Sequence, residues 1–194
     1  MSSDTQTQPL PRSGGGSPVT LVPGIYVAAR RLNVSGIGSF GAHQFVIGIP
    51  ERVCMANTRS LAGHEVIVLG AYNQSGRLQP SLNASSDVTS LRSYLTGAGS
   101  LHVARVSVTK TNSMILSLVN GYRHYVRHEN THPIAYPTAY GGASLTGCDT
   151  STTYNSNSWA QSLIVHRIGP GRVIRDFSGI DICNGNTIPA AYFK

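Results

Sequence analysis

Two histidines each open an apolar run, His43 in Gly41-Ala42-His43-Gln44-Phe45-Val46-Ile47-Gly48 and His64 in Gly63-His64-Glu65-Val66-Ile67-Val68-Leu69-Gly70. A general base must be held rigidly and still reach its substrate, and the first residue of a buried strand offers both. The plainer alternative is a histidine that merely ends a strand. Nucleophiles are offered by a second stretch, Gly147 to Trp159, where the polar run Cys148-Asp149-Thr150-Ser151-Thr152-Thr153-Tyr154-Asn155-Ser156-Asn157-Ser158 feeds into an amphipathic segment. Unpaired N–H groups and the macrodipole at a helix start activate a nucleophile and stabilise a developing oxyanion. Cys148 and Ser156 are the candidates. Against them stand ordinary N-capping by Asn155, Ser156 and Asn157, and a disulfide for Cys148.

A third pattern, His128-Glu129-Asn130-Thr131-His132, reads H-E-x-x-H, in which two histidines one helical turn apart bind zinc and the glutamate activates water. Pro133 follows directly and pushes His132 out of the α region, so the second ligand falls where a helix frays. Glu129 continues the inward face of the segment while His128 and His132 lean away from it. The alternative is a polar helix end with His124 and His128 one turn apart. No glycine-rich loop is built for phosphate, since Gly14 to Gly16 lies in a polar tail and Gly97-Ala98-Gly99 lacks a following lysine. Eight acids form no paired-carboxylate pattern.

The elements that must position these groups are readable from apolar spacing. Ile25 to Leu32, Gln44 to Ile49, Glu65 to Tyr72 and Leu101 to Thr109 read as strands bounded by Gly, Pro or Asn. Ser86 or Asp87 caps a predicted helix to about Leu95, with Val88, Leu91 and Leu95 on one face. Asn112 caps a longer one with a buried stripe of Ile115, Leu118, Val119, Tyr122 and Val126. A third helix starts near Asn155 to Asn157, carries Trp159, Leu163 and His166, and ends before Gly169 and Pro170. Strands first and helices later predict an α+β fold, an antiparallel sheet packed with about three helices.

The 194 residues, 40% hydrophobic, suffice for one sizeable core. Residues 1–20 are Ser, Thr, Gln, Pro and Gly with little to bury, an expected disordered tail ahead of a domain at 21–194. Charged residues are only 12%, with Gly, Ser, Thr and Asn abundant, which suits a loop-rich exported protein. The net charge of +7 favours nucleic acid, anionic lipid or an acidic wall polymer. Scattered arginines without interleaved aromatics argue against nucleic acid. Three cysteines match neither a zinc ribbon nor a disulfide scaffold, and Cys148 and Cys183 would pair in an oxidising compartment, leaving Cys54. Residues 1–18 show no basic region followed by an apolar one, and no stretch is apolar enough for a membrane span.

A His-led strand early in the chain and a nucleophile-bearing helix start late in it resemble the circularly permuted branch of the papain-like superfamily, which includes NlpC-type wall amidases and lecithin retinol acyltransferase-like enzymes. In that branch an Asn-Cys pair opens the late helix, and Asn155-Ser156 followed by Trp159 looks like the same motif with serine in place of cysteine. Phe177-Ser178-Gly179-Ile180-Asp181 with Asn186-Thr187-Ile188-Pro189 looks like endings seen in bacterial toxin and effector members. The resemblance implies nucleophilic cleavage of an amide or ester without a cofactor: a histidine draws the proton, a polar residue orients it, and N–H groups at the helix start hold the oxyanion. His43 or His64 is then the base and Ser156 or Cys148 the nucleophile, or the site is inactive. Asp87, Asn83 or the second histidine orients the base, and Asn155 and Asn157 flank the oxyanion position. The resemblance further implies an antibacterial effector delivered by type VI secretion without a signal peptide, acting on peptidoglycan or another envelope substrate in a rival's periplasm. An immunity protein and a secretion-apparatus carrier are the implied partners. Two other readings remain open: a zinc-dependent hydrolase through His128, Glu129 and His132, and a non-catalytic wall-binding module.

Overall fold

The computed structural model describes residues 16–34, 38–52, 55–136, 143–144, 147–148, 154–172 and 186–194, with 33–34, 38–41, 143–144 and 147–148 as backbone. It is an α+β fold whose centre is a six-stranded antiparallel sheet. The strands are β1 (Gly24–Val34), β2 (Gly38–Ile49), β3 (Arg59–Leu61), β4 (His64–Gln74), β5 (Arg77–Leu82) and β6 (His102–Val106). They run in the order β3-β4-β2-β1-β6, with β5 paired to β4. A small hairpin, β7 (Ala143–Ser144) and β8 (Gly147–Cys148), stands apart. The helices are α1 (Ser85–Leu95), α2 (Thr111–Thr131) and α3 (Ser156–Arg167).

Alternation along the strands sorts the side chains into two cores, because successive residues point to opposite faces. Tyr26, Ala28, Phe45, Ile47, Val66 and Val68 pack with Val88, Leu91, Tyr94 and Leu95 of α1. Their neighbours Ile25, Val27, Val46, Ile67 and Leu69 pack with Ile115, Leu118 and Tyr125 of α2 and Trp159 and Leu163 of α3. The sheet is therefore covered on both faces, by one helix on one side and two on the other.

Three local expectations change. The residue preceding α1 is Ala84, without a side-chain cap, and Asp87 sits in the first turn with its carboxylate turned to the sheet instead of capping. Lys110 precedes α2, and the Asn112 side chain accepts from the Glu51 N–H at 2.8 Å, tying the helix start to the end of β2. The buried stripe of α2 runs through Gly121 and Tyr125, with Tyr122 and Val126 half-buried. The cause is Gly121: a Cβ there would lie 2.7–2.9 Å from the side chains of Arg167 and Leu163, so the bare glycine lets α3 lie close over that turn. Residues 16–20 also do more than trail, since Gly16 N–H bonds the Gly97 carbonyl and Val19 N–H the Leu95 carbonyl at the end of α1. Among the described residues no helix is long and apolar enough to cross a membrane.

Candidate active site

The register of the sheet gathers one row of polar side chains. Arg30 of β1 lies opposite His43 of β2. The β2–β4 ladder ends at Val46↔Leu69, and three residues further along each strand His43 and Tyr72 face one another. Their rings stack, with centroids 4.7 Å apart and planes inclined by 25°. His43 shares strand parity with Phe45 and Ile47, so its ring faces α1. There Asp87 meets it. The imidazole Nε2 lies 3.1 and 3.2 Å from the two carboxylate oxygens, and Arg30 Nε lies 3.5 Å from one of them. Asp87 is wholly buried and His43 nearly so, at 3% exposure.

A carboxylate only accepts, so Nε2 carries the proton and donates it, which makes Nδ1 the basic nitrogen. Among the described residues nothing hydrogen-bonds that nitrogen. Gly70 makes room for the arrangement, since a Cβ at this position would lie 2.8 Å from Asp87 Oδ2. Ser86 donates to the Tyr72 hydroxyl at 3.1 Å, from the residue beside Asp87. Burial, and then the adjacent Asp87 charge, push the Tyr72 phenol far above its ordinary range and keep it protonated.

His64 is separated from this row. It opens β4 opposite Leu61, at the other end of the strand, eight residues from Tyr72. At the usual rise that is roughly 26 Å. Asn83 is also committed elsewhere, its side chain accepting from Val68 N–H and donating to the Asn57 carbonyl.

The start of α3 lies at the His43 end of the sheet. Asn155 caps it, accepting from Asn157 N–H at 2.9 Å and Ser158 N–H at 3.0 Å, while Ser158 Oγ accepts from Asn155 N–H at 3.3 Å. This is the reciprocal capping box. Replacing Asn155 by alanine is expected to lower stability by about 0.5–2 kcal/mol, read from denaturant midpoints. Asn157 reaches the sheet where the β2–β4 ladder has ended: its Oδ1 accepts from Gln44 N–H at 2.9 Å. One turn on, Gln161 donates to the Gln44 side chain at 2.8 Å. Two bonds therefore fasten α3 to the residue next to His43.

Ser156 is the first residue of α3, 2% exposed, and its backbone and hydroxyl both hydrogen-bond the Tyr136 phenol. Burial pushes that phenol up, and the two bonds pull it partly back. Tyr136 thus places an oxygen where the Ser156 N–H points, the position an oxyanion would occupy at a helix start. The segment arrives there because Leu78 N–H bonds the Ile134 carbonyl and Tyr136 N–H the Gly76 carbonyl, adding it to the edge of β5.

The structure brings His43 and Asp87 together, and Asn157 to the backbone of Gln44. It does not join the His43 ring to Ser156 by a hydrogen bond, and strand parity puts His43 on the α1 face while Gln44 meets α3 on the other. Cys148 is described as backbone, paired with Ala143. Cys54 and Cys183 lie outside the described residues, and with them the pairing of Cys148 and Cys183.

The two histidines of the H-E-x-x-H pattern and its glutamate are turned to different sides. α2 ends at Thr131, and His132 takes φ −131° and ψ 72°, as the following proline demands. His128 and His132 stack at 4.7 Å on the outer side. Glu129 is turned into the core, accepting from Gln79 at 2.7 Å and pairing with Arg77 Nε at 3.2 Å. No group of three His, Cys, Asp or Glu able to hold a metal occurs among the described residues. Glu129→Ala is expected to cost about 1–3 kcal/mol by stranding Gln79 and Arg77, measured by thermal unfolding, with the same loss with and without chelator.

Arg30, Tyr72 and Tyr136 were not among the residues singled out by type and spacing. Each reaches the site through non-local pairing of strands. No protein-family model matches the chain, and no curated protein or solved structure is significantly similar to it.

Proposed function

We propose that the chain is a hydrolase of amide or ester bonds in the manner of the permuted papain-like enzymes, with His43 as base, Asp87 as its orienter and a nucleophile from the α3 start, Ser156, or from Cys148. One observation carries this reading: a buried histidine–carboxylate pair stands at the sheet end where α3 is bonded to the very next residue. Buried charged pairs cost desolvation, and such groups held against one another are a mark of sites that move protons. His64, without a carboxylate partner among the described residues, is set aside in favour of His43. Ser156 is preferred within the helix start because Ser158 is committed to the capping box, whereas the Ser156 hydroxyl meets the phenol of Tyr136.

The substrate proposed is the peptide of a bacterial cell wall, reached as a secreted antibacterial effector. The net charge of +7 suits an acidic polymer. Periplasm-directed expression in a bacterium tests it, comparing wild type with folded His43→Ala, Asp87→Asn, Cys148→Ala and Ser156→Ala. Lysis by wild type that is lost in His43→Ala and in one nucleophile variant supports the reading. No lysis from wild type removes the wall substrate. A second reading, a non-catalytic wall-binding module, is favoured by the parity that sets His43 and the α3 start on opposite faces. Under it, binding to purified walls survives all four substitutions.

A further inference from the structure

His43 sits where its strand is paired with another strand on one side only. Pairing with β1 continues through Arg30↔His43, but the ladder to β4 has already stopped at Val46↔Leu69. Beyond the end of that ladder Asn157 takes the N–H of the next residue, Gln44, and on the His43 side chain itself the ring of Tyr72 is stacked at 4.7 Å. The other end of the same side chain is tied to α1, where Ser86 donates to its hydroxyl at 3.1 Å beside Asp87. One residue therefore touches both the base and the helix turn that carries the orienting carboxylate.

We propose that Tyr72 is a positioning residue for His43, its ring fixing the imidazole plane and its hydroxyl fixing the distance of the α1 first turn from the sheet. The inference rests on reading His43 as the base. A stacked ring restricts rotation of the imidazole about its own axis without touching either nitrogen, leaving Nε2 to Asp87 and Nδ1 to a substrate proton. Loss of such restraint is costly, because a displacement of about 1 Å at a reacting group lowers rate by about 10²-fold.

The test uses the full chain and three variants. Tyr72→Phe keeps the ring and removes the hydroxyl; Ser86→Ala removes one of the hydroxyl's two partners, the other being Asp87, from an exposed position; Tyr72→Leu removes the ring. Hydrogen exchange of the His43 Nε2–H, followed by NMR with ¹⁵N-labelled histidine, reads the restraint without any need for activity. Expected are slow exchange in wild type, exchange about 2–10-fold faster in Tyr72→Phe and Ser86→Ala, as the loss of one net hydrogen bond predicts, and much faster exchange in Tyr72→Leu. If turnover is found, kcat should fall in the same order, by about 10²-fold in Tyr72→Leu, with KM unchanged. Wild-type exchange in Tyr72→Leu, or a loss in Tyr72→Phe as large as in Tyr72→Leu, would overturn the proposal. Should Tyr72→Leu fail to fold, Tyr72→Phe and Ser86→Ala decide, and wild-type exchange in both overturns it. A wild type that shows the exchange pattern but no hydrolysis would remove the catalytic reading and leave the positioning intact.

Discussion

Replacing Asp87 by alanine is expected to destabilise the protein by about 3–5 kcal/mol, the loss that follows when one partner of a buried charged pair is removed. The carboxylate is wholly buried and faces His43 Nε2 at 3.1 Å and Arg30 Nε at 3.5 Å. Without it, the guanidinium of a three-quarters buried arginine loses its counter-charge and the imidazole loses its acceptor. For a chain of this length each kcal/mol moves the unfolding midpoint by about 2–4 °C, so thermal unfolding should shift by on the order of 10 °C. Asp87→Asn keeps the shape and one acceptor oxygen, and should lose less. A midpoint unchanged in Asp87→Ala would mean that the carboxylate does not hold this end of the sheet together.

The second large effect is on turnover. His43→Ala should lower kcat by about 10²–10⁴-fold on an ester or peptide substrate, the usual contribution of a positioned general base, with the fold retained. His64→Ala, at the far end of β4, should leave kcat within about twofold of wild type, since the residue stands roughly 26 Å along the strand from Tyr72. Equal losses in the two variants would point to a diffuse effect on folding, and a loss confined to His64→Ala would reverse the assignment. The rates are to be compared at concentrations above KM, so that a binding defect is not mistaken for a chemical one.

Much of the frame was legible. Apolar runs marked β1, β2, β4 and β6, and the three helices begin within two or three residues of their expected starts. β5 escaped because Gln79, Pro80 and Ser81 break the apolar run; its strand character comes from pairing with β4 across a tight turn, Gln74↔Arg77. β3 is three residues long and hangs on the start of β4 in the same way. Local spacing could not reveal these, since the partner supplies the order.

The site divides along the same line. His43 was visible as the head of an apolar strand, and the capping role of Asn155 followed from its type ahead of a helix. For Asp87 the sequence offers both a cap and an orienter, and the fold turns its carboxylate to His43, leaving α1 without a side-chain cap. Arg30 and Tyr72 lie in strands whose register decides that they flank His43, and nothing near either residue encodes that register. The face a histidine occupies was legible in part. Alternation puts His43 with Phe45 and Ile47, but which helix covers that face is a long-range fact.

The most direct measurement is covalent trapping. The protein is incubated with an acylating ester or fluorophosphonate probe, and the modified residue is located by mass spectrometry in wild type and in His43→Ala. An adduct is expected on Ser156, or on Cys148, that forms in wild type and is lost with His43. No adduct, or one that forms equally well without His43, would contradict the claim that this histidine activates a nucleophile.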